Sequence, residues 1–480
     1  MANRIHIAAA AALLALGACT IGPSYRRPAA ATPPAYKELD GWKPAQPGEA
    51  GSASAWWSVY HDPVLDSLER QVAISNQTLK ASAAAFREAS AIVAEARAGY
   101  FPTVSAAASG SRSSQPFSTS AGRGGGGSVV QNSFSAGPDV SWVPDIWGRI
   151  ARTVESDVAN AQASAADLAA ARLSAQASLA TDYFQLRTDD ALKDILDATV
   201  KADQQALAIV RNQFNAGFSA QTDVLTAQTQ LENAQAQDIA LGVQRAALEH
   251  AIAVLIGKPP AELTLAPGPL ATAVPVMPPG LPSTLLERRP DIAASERAMA
   301  AANAQIGIAE TAYFPDLTLT GTLSFASTEL GNLFSAANSA WSLGAQLAGT
   351  VFEGGLRGAQ VAAARAFYDQ NVALYRQTVL AAFQQVEDAL ASLRILGQQA
   401  QVQARALRDA RAAEQLALAQ YQAGTVAYTT VVVAQTTALG DEQTVLNLQE
   451  SRLAASVTLI EALGGGWNQS QLPAIAATGP

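Results

Sequence analysis

The chain has 480 residues and a formal net charge of −9, with 49% apolar residues but only 6% aromatic and 15% charged ones. An acidic chain with no long basic run is not built to bind nucleic acid. One cysteine excludes a disulfide framework and a Cys-based zinc site, and three scattered histidines (His6, His61, His250) leave little for metal or acid–base chemistry.

Residues 1–18 read as a bacterial lipoprotein signal: Arg4, a short apolar run from Ile7 to Leu16, then Leu16-Gly17-Ala18-Cys19. The run is too short to span a bilayer as a helix. The last four residues resemble a lipobox, which implies a lipid on Cys19, an S-diacylglycerol with an N-palmitoyl chain. The plainer alternative is an ordinary secretory signal with a stray cysteine. Thr20 follows the cysteine, and by resemblance to lipoprotein sorting rules this favours the outer membrane. Residues 19–61, rich in Pro, Ala and Gly and holding Trp42, Trp56 and Trp57, predict an extended segment lying on the surface.

From there the chain repeats itself. Gly99-Tyr100-Phe101-Pro102 recurs as Ala312-Tyr313-Phe314-Pro315. Gln213-Phe214-Asn215-Ala216-Gly217 recurs as Gln420-Tyr421-Gln422-Ala423-Gly424, and Ala227-Gln228-Thr229 as Ala434-Gln435-Thr436. Repeat 1 spans 62–258 and repeat 2 spans 283–466, with a Pro-rich linker over 259–282 and a tail over 467–480. Each copy predicts a helix (62–99 and 283–312) stopped by Pro102 or Pro315. Two strands follow, at 103–115 and 131–145 in the first copy and at 316–326 and 340–352 in the second. Leu317, Leu319, Leu323 and Phe325 alternate with Thr318, Thr320, Thr322 and Ser324, a period of two with one apolar face. Strands of about ten residues suit a tilted crossing of a bilayer, and Trp142, Trp147 and Trp341 near strand ends suit its interfaces.

A long helix then comes in each copy, 147–215 and 356–423, followed by a Gly turn and a returning helix, 221–256 and 428–464. No Gly or Pro falls between Gly148 and Gly217, enough chain for a helix on the order of 100 Å. In the second copy, from Ala359 to about Ala423, Gly397 is the one interruption. Val372, Val379, Val386 and Leu393 recur every seven residues, as do Val432, Leu439, Leu446, Leu453 and Ile460, the pattern of coiled-coil packing. The returning helices are shorter, and the helices that open each copy are placed to stack end to end on them. Four membrane strands cannot close on themselves, because lipid leaves edge N–H and C=O groups unpaired. The chain must therefore assemble with others into a shared barrel continued by a helical tube.

The sequence is similar to the outer membrane factors, the TolC/OprM/NodT group of export channels, over nearly the whole mature chain. The residues that carry this are Leu286-Glu287-Arg288-Arg289-Pro290-Asp291-Ile292, Ala309-Glu310, Tyr313-Phe314-Pro315, Phe352-Glu353-Gly354-Gly355 and Tyr421-Gln422-Ala423-Gly424. The resemblance implies a mixed α and transmembrane β fold: a homotrimer with a 12-stranded β-barrel continued by a 12-helix α-barrel. It implies an outer-membrane exit channel of a tripartite efflux pump, with a periplasmic adaptor and an inner-membrane transporter of the RND type as partners. No enzyme activity, cofactor or metal is implied beyond the lipid on Cys19.

In the family, rings of carboxylates and large side chains close the hairpin tips. Carried onto this chain, Asp223 keeps a carboxylate and Tyr421 is retained, whereas Thr430 and Val433 stand at acidic positions and Val426 at a basic one. Two readings of Val431, Val432 and Val433 follow: an apolar constriction that gates by dewetting, or heptad core. Gly217 and Gly424 supply the turns, and Phe218, Ser219, Thr425 and Val426 beside them are the expected adaptor contacts. Gly122-Arg123-Gly124-Gly125-Gly126-Gly127 fits a dinucleotide fingerprint by letters alone; between two strands it reads as an exposed loop. Glu387-Asp388 reads as a solvated or lumen-facing pair, and Arg288-Arg289 as ion-paired. A protein-secretion duct is the runner-up within the channel class. A lipid-anchored adaptor would have one hairpin and no membrane-facing strands.

Overall fold

The computed structural model describes residues 20–38, 55–117, 127–275 and 282–475. Cys19 and the leader before it, Trp42, Gly122 to Gly126 and the last five residues lie outside them.

The first helical stretch is two helices, α1 (Pro63–Ser75) and α2 (Gln77–Ala98), where the sequence predicts one. Asp62 caps α1 by accepting the Val64 and Leu65 amides, with Pro63 at the first helical position. Asn76 makes the break. Its Oδ1 caps α2 by accepting from Leu79 N at 3.0 Å, and its Nδ2 donates to Leu255 O at 2.7 Å. The later stretch breaks likewise: after one turn, Leu285–Arg288, Arg289 is extended (φ −96, ψ 124), as a residue before proline must be, and α5 runs Pro290–Thr311.

Between them lie β1 (Thr103–Phe117) and β2 (Gly127–Trp142), and after α5 come β3 (Asp316–Ser327) and β4 (Ser339–Ala348). They form one antiparallel sheet in the order β1-β2-β3-β4. β2 begins four residues before the predicted 131, because the hairpin ladder continues from Ser113↔Gln131 out to Phe117↔Gly127. It stops at Trp142, ahead of Pro144. β4 ends at Ala348 instead of 352: its last pair is Asp316↔Ala348, and the next residue on β3's side, Pro315, has no amide to offer. Among the described residues β1 and β4 each keep one unpaired edge.

Two hairpins project from the sheet. Hairpin one is α3 (Arg149–Asn215) with α4 (Gln221–Leu255); hairpin two is α6 (Leu356–Gln422) with α7 (Tyr428–Ala462). α3 and α6 have 67 residues each, about 100 Å, and α4 and α7 have 35. Gly397 does not interrupt α6; it stands in open space on a continuous helix. Gly217 (φ 83) and Gly424 (φ 72) make the tip turns, where the Phe218 and Thr425 amides reach back to Gln213 O (2.8 Å) and Gln420 O (3.0 Å). α2 takes up where α4 stops, at Asn76, and Arg289 does the same beneath α5 by donating to Ala462 O at 2.9 Å. The chain thus forms four helical columns.

The core is a set of seams along these columns. Tyr183 and Phe184 of α3 pack with Trp56, Trp57, Tyr60, Leu65 and Leu453. Tyr375, Val379, Phe383, Val386, Leu390 and Leu393 of α6 form a second cluster with Tyr36 and Leu459. Residues 20–38 run down the outside as a strap. Arg152 donates to Ile21 O and Gly22 O, Asn303 to Pro23 O, and Arg27 Nε to the Tyr375 hydroxyl. Gly22 and Gly307 approach so closely that a Cβ on Gly22 would lie 2.4 Å from the Gly307 Cα. The strap also corrects one expectation: Glu387 is not merely solvated, because its carboxylate accepts the Lys37 and Glu38 amides at 2.7 and 2.9 Å. The linker is pinned to hairpin one through Asp190, which accepts from Arg187 (2.9 Å), Arg245 (2.7 Å) and Gly268 N (3.1 Å).

Candidate functional site

Two regions present candidate functional surfaces: the sheet and the hairpin tips. On one face of the sheet, Trp341, Leu343 and Leu347 of β4 and Leu323 of β3 are exposed, as are Val104, Val130 and Val140 on the first hairpin of strands. Such an apolar band is costly in water and suits lipid. At the base of the sheet the Trp142 indole donates to Tyr100 O (3.0 Å) and the Trp147 indole to Pro315 O (2.8 Å), and Trp147 stacks on Phe314 at 4.9 Å. Trp341 stands near the opposite end of its strand. Indoles at two levels match the belts of a bilayer. No helix among the described residues is long and apolar enough to cross a membrane.

At the tips, the expected site residues separate by burial. Val431 is fully enclosed, in one cluster with Leu207, Val210, Ala227, Ala417 and Tyr428, and Val432 is half-buried against it. Val431 is therefore core and cannot line a lumen. Val433 is 66% exposed, and Thr430 is exposed beside it. Asp223 sits at the third position of α4 and accepts from Ser219 Oγ (2.8 Å) and Ala220 N (3.3 Å), so its carboxylate caps the helix start. Tyr421 donates to Gln213 Oε1 at 2.5 Å, across the two hairpins, and packs on Tyr428 at 5.2 Å. Burial, and then the Asp223 charge, hold its hydroxyl above the ordinary tyrosine range. Of the expected contact residues, Gly217, Phe218, Gly424 and Thr425 are exposed, Phe218 at 87%, while Ser219 and Val426 are half-buried. Gln213 was absent from the expected site. Its signal was present, since Gln213-Phe214 is the repeat mate of Gln420-Tyr421, and only the second copy carries the hydroxyl.

Among the described residues no group of three or more His, Cys, Asp or Glu side chains could hold a metal ion. What the geometry provides is a wall, apolar strands continued by long paired helices. Solved outer-membrane channels share it. The channel OprN superposes with a TM-score of 0.86 at 30% identity, covering 94% of this chain and 100% of that one. The chain belongs to the outer membrane efflux protein family, whose profile, described as "Outer membrane efflux protein", matches residues 68–258 and 281–465. It is 32% identical over 465 residues to the solvent efflux pump outer membrane protein SrpC of Pseudomonas putida, covering 96% of this chain and 98% of that one. It is 30% identical over 464 residues to the cation efflux system protein CusC of Escherichia coli O6:H1 (strain CFT073), covering 95% and 97%.

Proposed function

We infer that this protein is the outer-membrane exit channel of an efflux pump, a passive conduit for small molecules delivered by an inner-membrane transporter of the RND type through a periplasmic adaptor. The observation that carries the reading is a four-stranded sheet with two free edges joined to two hairpins about 100 Å long. Eight strands is the smallest usual closed barrel, so further copies must complete the wall. Three copies give a 12-stranded barrel and a 12-column tube built from the duplicated halves. The helices carry the matching signal. Phe367, Leu374, Ile395, Val402 and Leu416 lie exposed on one seven-residue register of α6, and α4 exposes Leu225, Ile239 and Val243. A second apolar stripe on a helix already paired in its own hairpin calls for a neighbour on the other side.

The lipid on Cys19 fits the same picture. Thr20 packs against Gly148, and Ile21 N donates to Trp147 O at 3.3 Å. A lipid one residue before Thr20 would thus start at the level of the Trp147–Phe314 pair, where the helices extend into the periplasm. The gate lies at the tips. There the Gln213–Tyr421 bond is the latch between hairpins, Asp223 holds the turn beside it, and Val433 with Thr430 faces the opening. The exposed Phe218 and Thr425 at the turns dock the adaptor. Relatives named for solvent and cation export favour small molecules over protein secretion. Reconstitution of the full chain tests the reading. The expected result is a heat-modifiable trimer in outer-membrane fractions that conducts ions in planar bilayers; a monodisperse monomer that conducts would overturn it.

A further inference from the structure

α3 carries a buried row at every seventh residue: Asp189, Leu196, Asp203 and Val210, none more than 4% exposed. Two members of this apolar seam are acids, about 21 Å apart along the helix. Asp189 Oδ2 and Asp203 Oδ2 are both buried without a hydrogen-bond partner among the described residues. A buried acceptor with no donor is costly.

Each faces the second hairpin. Asp203 lines a cavity of about 350 Å³ between the hairpins, together with Asp194 of its own helix, Gln230 of α4, Arg411 and Glu414 of α6, and Gln435 and Glu442 of α7. The one guanidinium there is engaged, because Arg411 pairs with Glu442. Gln435 Oε1 is a second buried acceptor without a donor in that cavity. Tyr428 of α7 also feels the Asp203 charge. Around Asp189 stand Asp190 of the same helix, Arg245 of α4, committed to Asp190 and Glu249, and Glu450 of α7. Carboxylates outnumber cationic groups at both places. A proton on the acid is the smallest change that repairs this, since a carboxyl group donates where a carboxylate only accepts.

We propose that Asp189 and Asp203 form a proton-operated seam inside one protomer, which binds hairpin one to hairpin two when the acids are protonated and loosens when they ionise. The joint is built within a single chain and does not depend on the channel reading. Burial, and then Glu414, push the Asp203 carboxyl up to about 6; burial, and then Asp190, push Asp189 up to about 6. The packed seam therefore binds more protons than the parted one, whose acids regain the ordinary value of 3.8. Packing is strongest in acid, weakens as pH rises from that value to about 6, and changes no further above it. That interval allows up to roughly a hundredfold change in the parting equilibrium per carboxyl.

The test places spin labels at Asn215→Cys and Ala423→Cys, exposed positions beside the two tips. The full chain, diluted with unlabelled protomers and reconstituted in nanodiscs, is measured by double electron–electron resonance between pH 4 and 7.5. The parent chain without the added cysteines reports any label on Cys19. Acidification of the wild type should convert a broad distance distribution to a narrow, short one. Asp189→Asn with Asp203→Asn should stay narrow at every pH, and Asp203→Leu, which continues the row with the residue already at Leu196, should lose the part of the response due to that acid. A wild-type distribution that does not change with pH, or an Asn pair that responds as the wild type does, would overturn the proposal.

Discussion

Aspartate introduced at Val431 or at Val433 compares a buried position with an exposed one two residues away, the second of which faces the lumen in the proposed assembly. At Val431 the lost burial of the valine side chain costs about 2 kcal/mol. The new carboxylate meets an environment like that of Asp203, whose carboxyl is pushed from 3.8 up to about 6; at neutral pH such a group carries a penalty of about 3 kcal/mol. Together these approach about 5 kcal/mol, the lower end of a whole domain's stability. Val431→Asp should therefore yield little heat-modifiable trimer at pH 7.5 and regain some at pH 5, where the carboxyl is neutral. At Val433, 66% exposed, the same change should alter stability by less than about 0.5 kcal/mol. A ring of carboxylates there should raise single-channel conductance and cation preference in planar bilayers. Wild-type trimer yield for Val431→Asp would refute the burial argument, and unchanged conductance and selectivity for Val433→Asp would remove Val433 from the lumen.

Asp190→Ala leaves the buried Arg187 guanidinium without its carboxylate and should cost about 3–5 kcal/mol, read as a lowered unfolding midpoint and as protease cleavage within the Pro-rich linker over 259–275. Leu343→Lys places a charge on the exposed apolar face of β4 and should cost about 2–4 kcal/mol if that face meets lipid, measured as loss of heat-modifiable mobility; a neutral result would move the lipid face elsewhere. Tyr421→Phe deletes the bond to Gln213, worth about 1 kcal/mol, and should raise the open probability of single channels roughly fivefold without changing trimer yield.

What the sequence made legible was local and periodic. The Leu/Thr alternation of β3 and the seven-residue spacing of Val379, Val386 and Leu393 each repeat within a few turns, so each can be read from neighbours. The breaks were not legible, because their causes lie far along the chain. Asn76 ends a helix in order to reach Leu255 O, 179 residues away. Glu387 looked like a solvated acid because the amides that use it belong to Lys37 and Glu38. At the tips, three consecutive valines share one hydropathy, and only the angle at which α7 meets its partners assigns Val431 to the interior and Val433 to the surface. The heptad frame that holds Val210 and Leu196 also held Asp189 and Asp203, but polarity hid them from a search for apolar residues.

The free margins of the sheet bear on how the protein is made. In the proposed assembly, a newly exported copy carries two borders, unzipped among the described residues, that attract any strand of suitable length, its own siblings or strangers alike. Encounter among copies therefore competes with misjoining, and the yield of finished pores should depend on how crowded the copies are during synthesis as well as on how stable each one is.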